Sequence, residues 1–351
     1  MLEQCGTLRE SWYAAMRSQQ LKSNSPQGCV ILEQPMVVWR GLDGKPSALE
    51  DRCAHRNAPL SKGAVFKGTI GCPYHGWVYD ARGACIEVPS QGLGGKPPHC
   101  RVNSFPVLER NGLIWIWMGV GEPVGDPFPM PFYESEAEGW KKYYMETHFA
   151  NEVTHLVENF MDVPHTRFVH FGWFRKHAGK EVKVEIERTL SSVLVTYHLE
   201  DDEIGFTSRI LNPKREALTH TDKFYMPNTT RVDYGFGSKR GFVITSTCTP
   251  LGPFETLVFT LISYRLGWLN FLAPIWLPFY TRKVIQQDVD IMRIQGDNLK
   301  RFGGEMEFNS TEADLLHEYI ESLREFAATQ KPGEKGGTPP EPRIESLSFW
   351  I

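Results

Sequence analysis

The sequence predicts an α+β chain of two domains, a β-rich first domain and a second built on an antiparallel sheet flanked by helices. Three observations carry this. Short apolar runs bounded by Gly and Pro fill the first third; Val37-Val38-Trp39 and Leu113-Ile114-Trp115-Ile116-Trp117-Met118 read as strands. The middle alternates with period two. Val182, Val184 and Ile186 face one way, Lys183, Glu185 and Glu187 the other, and Val193, Val195, Tyr197 and Leu199 repeat the pattern. Half-buried antiparallel strands alternate in this way. Helical stretches then flank the sheet, at about 152–161, 281–301 and 311–328.

The remaining elements follow in order. Phe242–Thr249 and Leu257–Ser263 add strand-like runs. At 351 residues the chain is long enough for two domains. The Pro- and Gly-dense stretch Gly119–Pro131 reads as the linker between them. The expected domains are therefore 10–125 and 132–330. Lys331–Pro342 is rich in Pro and Gly and reads as irregular, within a Pro/Gly-rich C-terminal tail of 331–351.

Composition excludes some classes. Apolar content of 41% and aromatic content of 12% suit a filled globular core. A net charge of -4 gives no cationic surface for nucleic acid. The seven cysteines show no disulfide-type spacing, which points to a reducing compartment such as the cytoplasm. Met1-Leu2-Glu3-Gln4-Cys5 lacks a basic start before an apolar run, so no signal peptide is expected. Leu266–Phe279 carries no charge, but it is too short to span a bilayer and contains Pro274 and Pro278. It reads as a buried or interface segment; contact with a membrane surface, a substrate or a neighbouring chain stays open.

The chemistry starts at Cys53-Ala54-His55 and Cys72-Pro73-Tyr74-His75-Gly76-Trp77. Each half holds one Cys and one His. Two thiolates on one iron and two imidazoles on the other is the Rieske form of a [2Fe–2S] cluster. A structural zinc site would use the same residue types, but zinc fingers keep like ligands together, as Cys pairs followed by His pairs. The mixed halves favour the cluster, and hence electron handling.

A second cluster follows in Asn159-Phe160-Met161-Asp162-Val163-Pro164-His165, with His170 beyond it. Two His and one carboxylate on one face of Fe(II) leave positions open for O2. His165 and His170 would be the imidazoles. Asp162 is the near candidate for the carboxylate, and Asp288 the better one. On a helix, Val284, Ile285, Asp288, Ile291, Met292, Gln295 and Leu299 share one face, and Asp290 sits opposite with Gln286, Arg293, Asp297 and Lys300. A carboxylate centred on an apolar stripe must be paired or bind metal. An ordinary buried ion pair is the bland alternative.

These motifs resemble those of the terminal oxygenase components of Rieske non-haem iron oxygenases, over about Ser11 to Arg301. The start, Ser11-Trp12-Tyr13-Ala14-Ala15-Met16-Arg17-Ser18, is similar to the subgroup of pheophorbide a oxygenase, vanillate demethylase and aminopyrrolnitrin oxygenase. The match at Asp288 departs in one place, with Gln287 where many relatives carry an acid. The resemblance implies a β-rich Rieske domain and a helix-grip catalytic domain, whose antiparallel sheet wraps a long C-terminal helix. It implies Cys53, His55, Cys72 and His75 on the [2Fe–2S] cluster, and His165, His170 and Asp288 on a mononuclear iron. It implies a homotrimer in which Asp162 bridges His165 to His75 of the next chain.

The implied activity is oxidation of a hydrophobic or aromatic small molecule with O2, most simply monooxygenation by hydroxylation or oxidative demethylation. N-oxygenation, cyclisation, desaturation and dihydroxylation use the same site. Electrons would come from NAD(P)H through a separate reductase or ferredoxin, since no G-x-G-x-x-G fingerprint is present. Phe160, Phe171, Trp173 and Phe174 flank the histidines and would suit an aromatic substrate or simply fill a core. A Rieske electron carrier and a non-catalytic ligand-binding module are the readings from other classes.

Overall fold

The structure, a computed structural model, describes residues 8–92, 94–170, 181–198, 212, 216–237, 239–304, 307–330 and 338–350. It divides into two compact units, Arg9–Pro129 and Met130–Ile351.

The first unit holds three small antiparallel sheets. β1 (Trp12–Arg17) pairs with β11 (Leu113–Trp117), which pairs with β10 (Val107–Arg110). β2 (Gln27–Ile31), β3 (Gln34–Arg40), β4 (Pro46–Glu50) and β9 (Ser104–Phe105) form the second sheet, in that order. The third runs β5 (Ala64–Phe66), β6 (Thr69–Gly71), β7 (Val78–Tyr79) and β8 (Cys85–Glu87). Val37–Trp39 falls inside β3, and the run from Leu113 matches β11 up to Trp117, with Met118 just beyond it. Cys53 and Cys72 belong to the apolar core here, packed with Val37, Trp39, Leu60, Ile70 and Tyr79.

The second unit is one eight-stranded antiparallel sheet and its helices. Its strands are β12 (Lys141–Phe149), β13 (Glu181–Arg188), β14 (Ser192–His198), β15 (Leu218–Tyr225), β16 (Thr229–Phe236), β17 (Arg240–Gly252), β18 (Glu255–Arg265) and β19 (Arg343–Trp350). The order across the sheet is β12, β18, β17, β16, β15, β14, β13, β19. The alternation read at Val182–Ile186 appears as strict in–out burial along β13; Leu199 lies outside the described residues. The end of the C-terminal tail joins the sheet: Arg343–Trp350 pairs along the whole of β13. Its alternating side chains, Leu347 and Phe349 among them, pack on the core edge, a pattern the Pro/Gly count upstream concealed.

Four α-helices among the described residues complete the unit: α1 (Val153–Met161), α2 (Thr166–Val169), α3 (Ala273–Arg301) and α4 (Leu315–Thr329). Glu152 caps α1, its Oε2 accepting Thr154 N–H at 2.6 Å. Leu156, Val157 and Met161 of α1, Met292 of α3 and Leu316, Ile320 and Leu323 of α4 share one core with Val184, Val195 and Phe224 of the sheet. α3 is longer than its periodicity predicts, starting at Ala273 rather than near Thr281. Pro274 sits in the first turn, where an N–H has no partner to lose, and the helix runs on past Pro278.

This early start splits the uncharged segment. Leu266, Ala273 and Leu277 are buried, whereas Trp268, Phe271, Ile275 and Phe279 are exposed. No helix among the described residues is long and apolar enough to cross a membrane.

The seating of α3 depends on one close approach. A Cβ on Gly296 would lie 2.3 Å from the Ala150 carbonyl oxygen. Beside it, Asn151 Nδ2 donates to Met292 O at 3.0 Å and to Gln295 Oε1 at 2.9 Å. Gly296→Ala gains about 1 kcal/mol of helix propensity but overpacks against backbone, which costs about 1–3 kcal/mol. The expected result is a thermal midpoint lower by a few degrees in circular dichroism; an unchanged or raised midpoint refutes the tight contact.

Candidate metal centres

The two Cys/His loops of the first unit are folded alike. Cys53 N–H donates to Ala58 O at 2.9 Å and Asn57 N–H returns to Cys53 O at 2.9 Å. Cys72 N–H donates to Trp77 O at 2.8 Å and Gly76 N–H returns to Cys72 O at 3.1 Å. Each loop thus closes on the backbone of its own cysteine. The residue four places on takes a left-handed backbone in both, Asn57 at φ 61° and Gly76 at φ 71°. The cysteines are buried, His55 is half-buried and His75 is exposed.

The four side chains come together. The rings of His55 and His75 meet edge to face with centroids 4.7 Å apart, and His55 stacks flat on Trp77 at 4.5 Å. Burial pushes the Cys72 thiol up, opposed by the backbone N–H groups of Tyr74 and His75 directed at its sulfur, with Cys53 close by. Tyr79 Oη lies 3.1 Å from Cys53 Sγ and accepts Ala54 N–H at 3.2 Å. A cluster-bound thiolate would carry no hydrogen, so the hydroxyl would be the donor to it. Burial, then Cys53, pushes the Tyr79 phenol up, which keeps it a donor. His55 Nδ1 is buried without a hydrogen-bond partner among the described residues. Two buried sulfurs, an orphaned imidazole nitrogen and converging N–H groups fit a [2Fe–2S] cluster of Rieske type. Sequence reading missed the role of Tyr79, though the residue sits in the motif.

In the second unit, Asp162 ends α1 and its Oδ2 accepts His165 N–H at 3.2 Å. That turn leads into α2, which lies between His165 and His170 and brings their rings to 5.3 Å. Asp288 reaches them from α3. His170 Nε2 is 3.2 Å from Asp288 Oδ1, and His165 Nε2 is 3.7 Å from the same oxygen. One ligand atom from each of the three residues lies within 4.8 Å of the others. Asp288 is 5% exposed, and its Oδ1 has no hydrogen-bond partner among the described residues. A buried oxygen facing two imidazole nitrogens without a hydrogen bond fits a cation. Asp290, as read, is exposed, its Oδ1 accepting from Gln286 Nε2 at 3.0 Å.

A protein oxygen lies behind each imidazole. Asp162 Oδ2 is 3.6 Å from His165 Nδ1, too far for a hydrogen bond. Gln287 Oε1 lies 3.0 Å from His170 Nδ1. An amide oxygen can only accept, so Nδ1 carries the hydrogen and Nε2 presents its lone pair. Burial lowers the proton affinity of His170, but Asp288 and then Gln287 outweigh it, so its pKa stands above the usual imidazole value. The site attracts positive charge. Gln287 was legible only as a departure from an expected acid, and its contact came from the fold.

The three residues line a cavity. It offers about 140 Å³ to the centres of water-sized molecules, where one water needs roughly 10–15 Å³, so an organic ring fits. Its walls include Phe160, Val232, Phe242, Ile244, Ile262 and Ile285. Of the aromatic residues singled out beside the histidines, Phe160 lines the cavity; Phe171, Trp173 and Phe174 lie outside the described residues.

Each centre lies within a stretch that matches a known domain family. The Rieske [2Fe-2S] domain family matches residues 11–106, and the vanillate O-demethylase oxygenase C-terminal domain family matches 151–317. The chain is 38% identical over 164 residues to the dicamba O-demethylase oxygenase component of Stenotrophomonas maltophilia, 46% of this chain and 48% of that protein. It is 36% identical over 172 residues to aminopyrrolnitrin oxygenase PrnD of Pseudomonas fluorescens, 46% of each. The matched stretch thus spans about half the length of these relatives. The crystal structure of dicamba monooxygenase bound to dicamba shares the fold, with a TM-score of 0.77 over 92% of this chain and 99% of that one, at 24% identity. The protein belongs to the Rieske non-haem iron oxygenase family. That family carries a [2Fe–2S] cluster and a non-haem iron.

Proposed function

We propose that this protein is a terminal oxygenase that inserts oxygen from O2 into a hydrophobic or aromatic small molecule, by hydroxylation or oxidative demethylation. The observation that carries this is the convergence of His165, His170 and Asp288 on an apolar cavity. Those three would hold a mononuclear iron, and Cys53, His55, Cys72 and His75 a [2Fe–2S] cluster. When bound, the metals supply one-electron storage and O2 activation that side chains lack.

The chain's own residues position and exclude. Gln287 fixes the His170 ring and its tautomer, and Asp162 orients His165. The cavity walls hold the substrate's apolar body and keep water from its reacting atoms. Tyr79 donates to Cys53 and so favours a more negative sulfur. Electrons come from a separate NAD(P)H-linked reductase or ferredoxin. In the homotrimer we assign, exposed His75 meets Asp162 of a neighbouring chain; the Asp162 side chain is 31% exposed. None of the described cysteines is in a disulfide, which suits a cytoplasmic setting.

The reaction is tested by incubating the protein with a reductase, NADH and aromatic methyl ethers in labelled O2. Mass spectrometry should find one labelled oxygen gained or a methyl group lost, and no O2 uptake with any donor would refute the oxygenase. Metal content gives a second expectation. The intact chain should hold about three Fe and two acid-labile sulfides, and Asp288→Ala about one Fe fewer with both sulfides kept. An intact chain with two Fe would be an electron carrier.

Gln287→Leu removes the acceptor behind His170. The affinity for Fe(II) at that site should fall about 10–100-fold in a chelator competition, and unchanged affinity would remove Gln287 from the site. Tyr79→Phe removes the hydrogen bond to Cys53. If that bond favours the reduced cluster by about 1 kcal/mol, the one-electron potential drops by roughly 40 mV. Protein-film voltammetry reads this directly; a potential that stays put or rises rejects the assignment.

A further inference from the structure

The start of α3 is apolar on two sides. Leu266, Ala273 and Leu277 are buried and share a core with Phe242 and Ile262 of the cavity wall. Trp268, Phe271, Ile275 and Phe279 are each 64–78% exposed, with Leu272 beside them. Ile275 and Phe279 stand one turn apart on α3, and Phe271 and Leu272 lie just ahead of them. No charge interrupts this stretch. A surface helix turns polar residues outward; one that is apolar on its outer side as well is covered by something.

The rim of the patch says what covers it. From Lys239 to Gln287 the one acid is Glu255. It stands at the far end of the β17–β18 hairpin, where it pairs with Gly252; at the near end Gly241 pairs with Arg265. Arg240 borders the patch, its Nε 3.9 Å from where a Cβ on Gly267 would lie. Lys283 Nζ sits over the Phe279 ring at 5.8 Å. Acids also border this end: Glu136, paired with Lys142, and the exposed Glu134, Glu138 and Glu216. Among the described residues Lys141, Lys239, Arg240, Arg265, Arg282 and Lys283 outnumber them, in a chain whose net charge is -4.

We propose that the outward face of Trp268–Phe279 is a lipid-docking surface that seats on a bilayer presenting anionic headgroups. The exposed Trp, Phe and Ile side chains enter the boundary between headgroups and acyl chains, and the basic rim meets the phosphates. A second copy fits the rim less well, since an isologous contact sets the basic rim against itself. Docking also has a use. Tyr280, Thr281 and Val284, which follow Phe279 directly, line the cavity. A hydrophobic substrate dissolved in lipid is then met where it is concentrated. That use rests on reading the cavity as the substrate site; the docking itself does not.

The test is flotation of the full chain with its metals on two vesicles, phosphatidylcholine alone and an equal mixture with phosphatidylglycerol. The mixed vesicle should bind roughly 10-fold tighter or more, and the gap should close as salt rises from about 0.1 to about 0.5 M. Phe271→Glu with Ile275→Glu should weaken binding to the mixed vesicle by about 10-fold or more at an unchanged melting temperature. Lys239→Gln with Lys283→Gln, both at exposed positions, should narrow the preference for the mixed vesicle. No binding by the unaltered chain, or equal binding to both vesicles, overturns the lipid surface whether or not the variants fold. So does full binding by a double-Glu protein of normal melting temperature. An assembly larger than a trimer that the same variant abolishes gives the face to a second copy and also overturns it. Iron is counted on the same sample. A chain with two Fe that still floats sinks the oxygenase and keeps the lipid surface; one with three Fe that stays behind does the reverse.

Discussion

The buried carboxylate of Asp288 is the constraint around which the second unit is organised. A carboxylate taken out of water needs a positive partner or several hydrogen bonds. Oδ1 has no hydrogen bond among the described residues, and two imidazole nitrogens face it. Meeting that need requires α3 to deliver residue 288 to within a few ångströms of the α1–α2 turn. Gly296 lets the helix lie against the Ala150 carbonyl, and Asn151 ties it at Met292 and Gln295. Asp162 bonds the His165 amide and so fixes where the turn begins. The site is thus assembled from backbone seating more than from contacts among its own members.

In the first unit the constraint is a repeated loop. Both cysteine loops share one backbone hydrogen-bond frame, yet the histidine stands two residues after Cys53 and three after Cys72. The frame fixes the sulfurs in the apolar core and lets the imidazoles differ in exposure. Position four of the frame demands a left-handed residue, met by Gly76 in one loop and Asn57 in the other. At Gly76 a Cβ would also meet Pro89 at 3.1 Å, whereas Asn57 is exposed and has room.

How far this was legible depends on the range of each signal. Period-two burial in β13 and the C-x-H and C-x2-H halves are local, and both could be read from the chain. Asp288 was legible because an acid on an apolar stripe breaks a local rule. β19 was not, since its partner β13 is distant in sequence and its approach is rich in Pro and Gly. The early start of α3 was hidden because two prolines outweigh propensity in a sequence reading, while their positions in the helix decide their cost. His220 and Asp222, which line the cavity, escaped as two polar residues in a mixed run, Leu218-Thr219-His220-Thr221-Asp222-Lys223-Phe224. Their shared parity with buried Phe224 gains meaning once that run is known to be a strand.

The cavity's histidines show how one side chain type is given different tasks. Each has one ring nitrogen beside a protein oxygen and the other left over. For His170 the partner is the neutral amide of Gln287, which takes the hydrogen on Nδ1 and leaves a lone pair at Nε2 facing Asp288. For His165 the nearby oxygen is Asp162 Oδ2, 3.6 Å from Nδ1, and Nε2 again faces Asp288. For His220 it is Asp222 Oδ1, 2.9 Å from Nε2, and the stacked rings of Tyr197 and Tyr234 hold the imidazole in the sheet. Which nitrogen is turned toward the protein's own oxygen, Nδ1 or Nε2, thus separates the two histidines that converge on Asp288 from the one that packs between tyrosines.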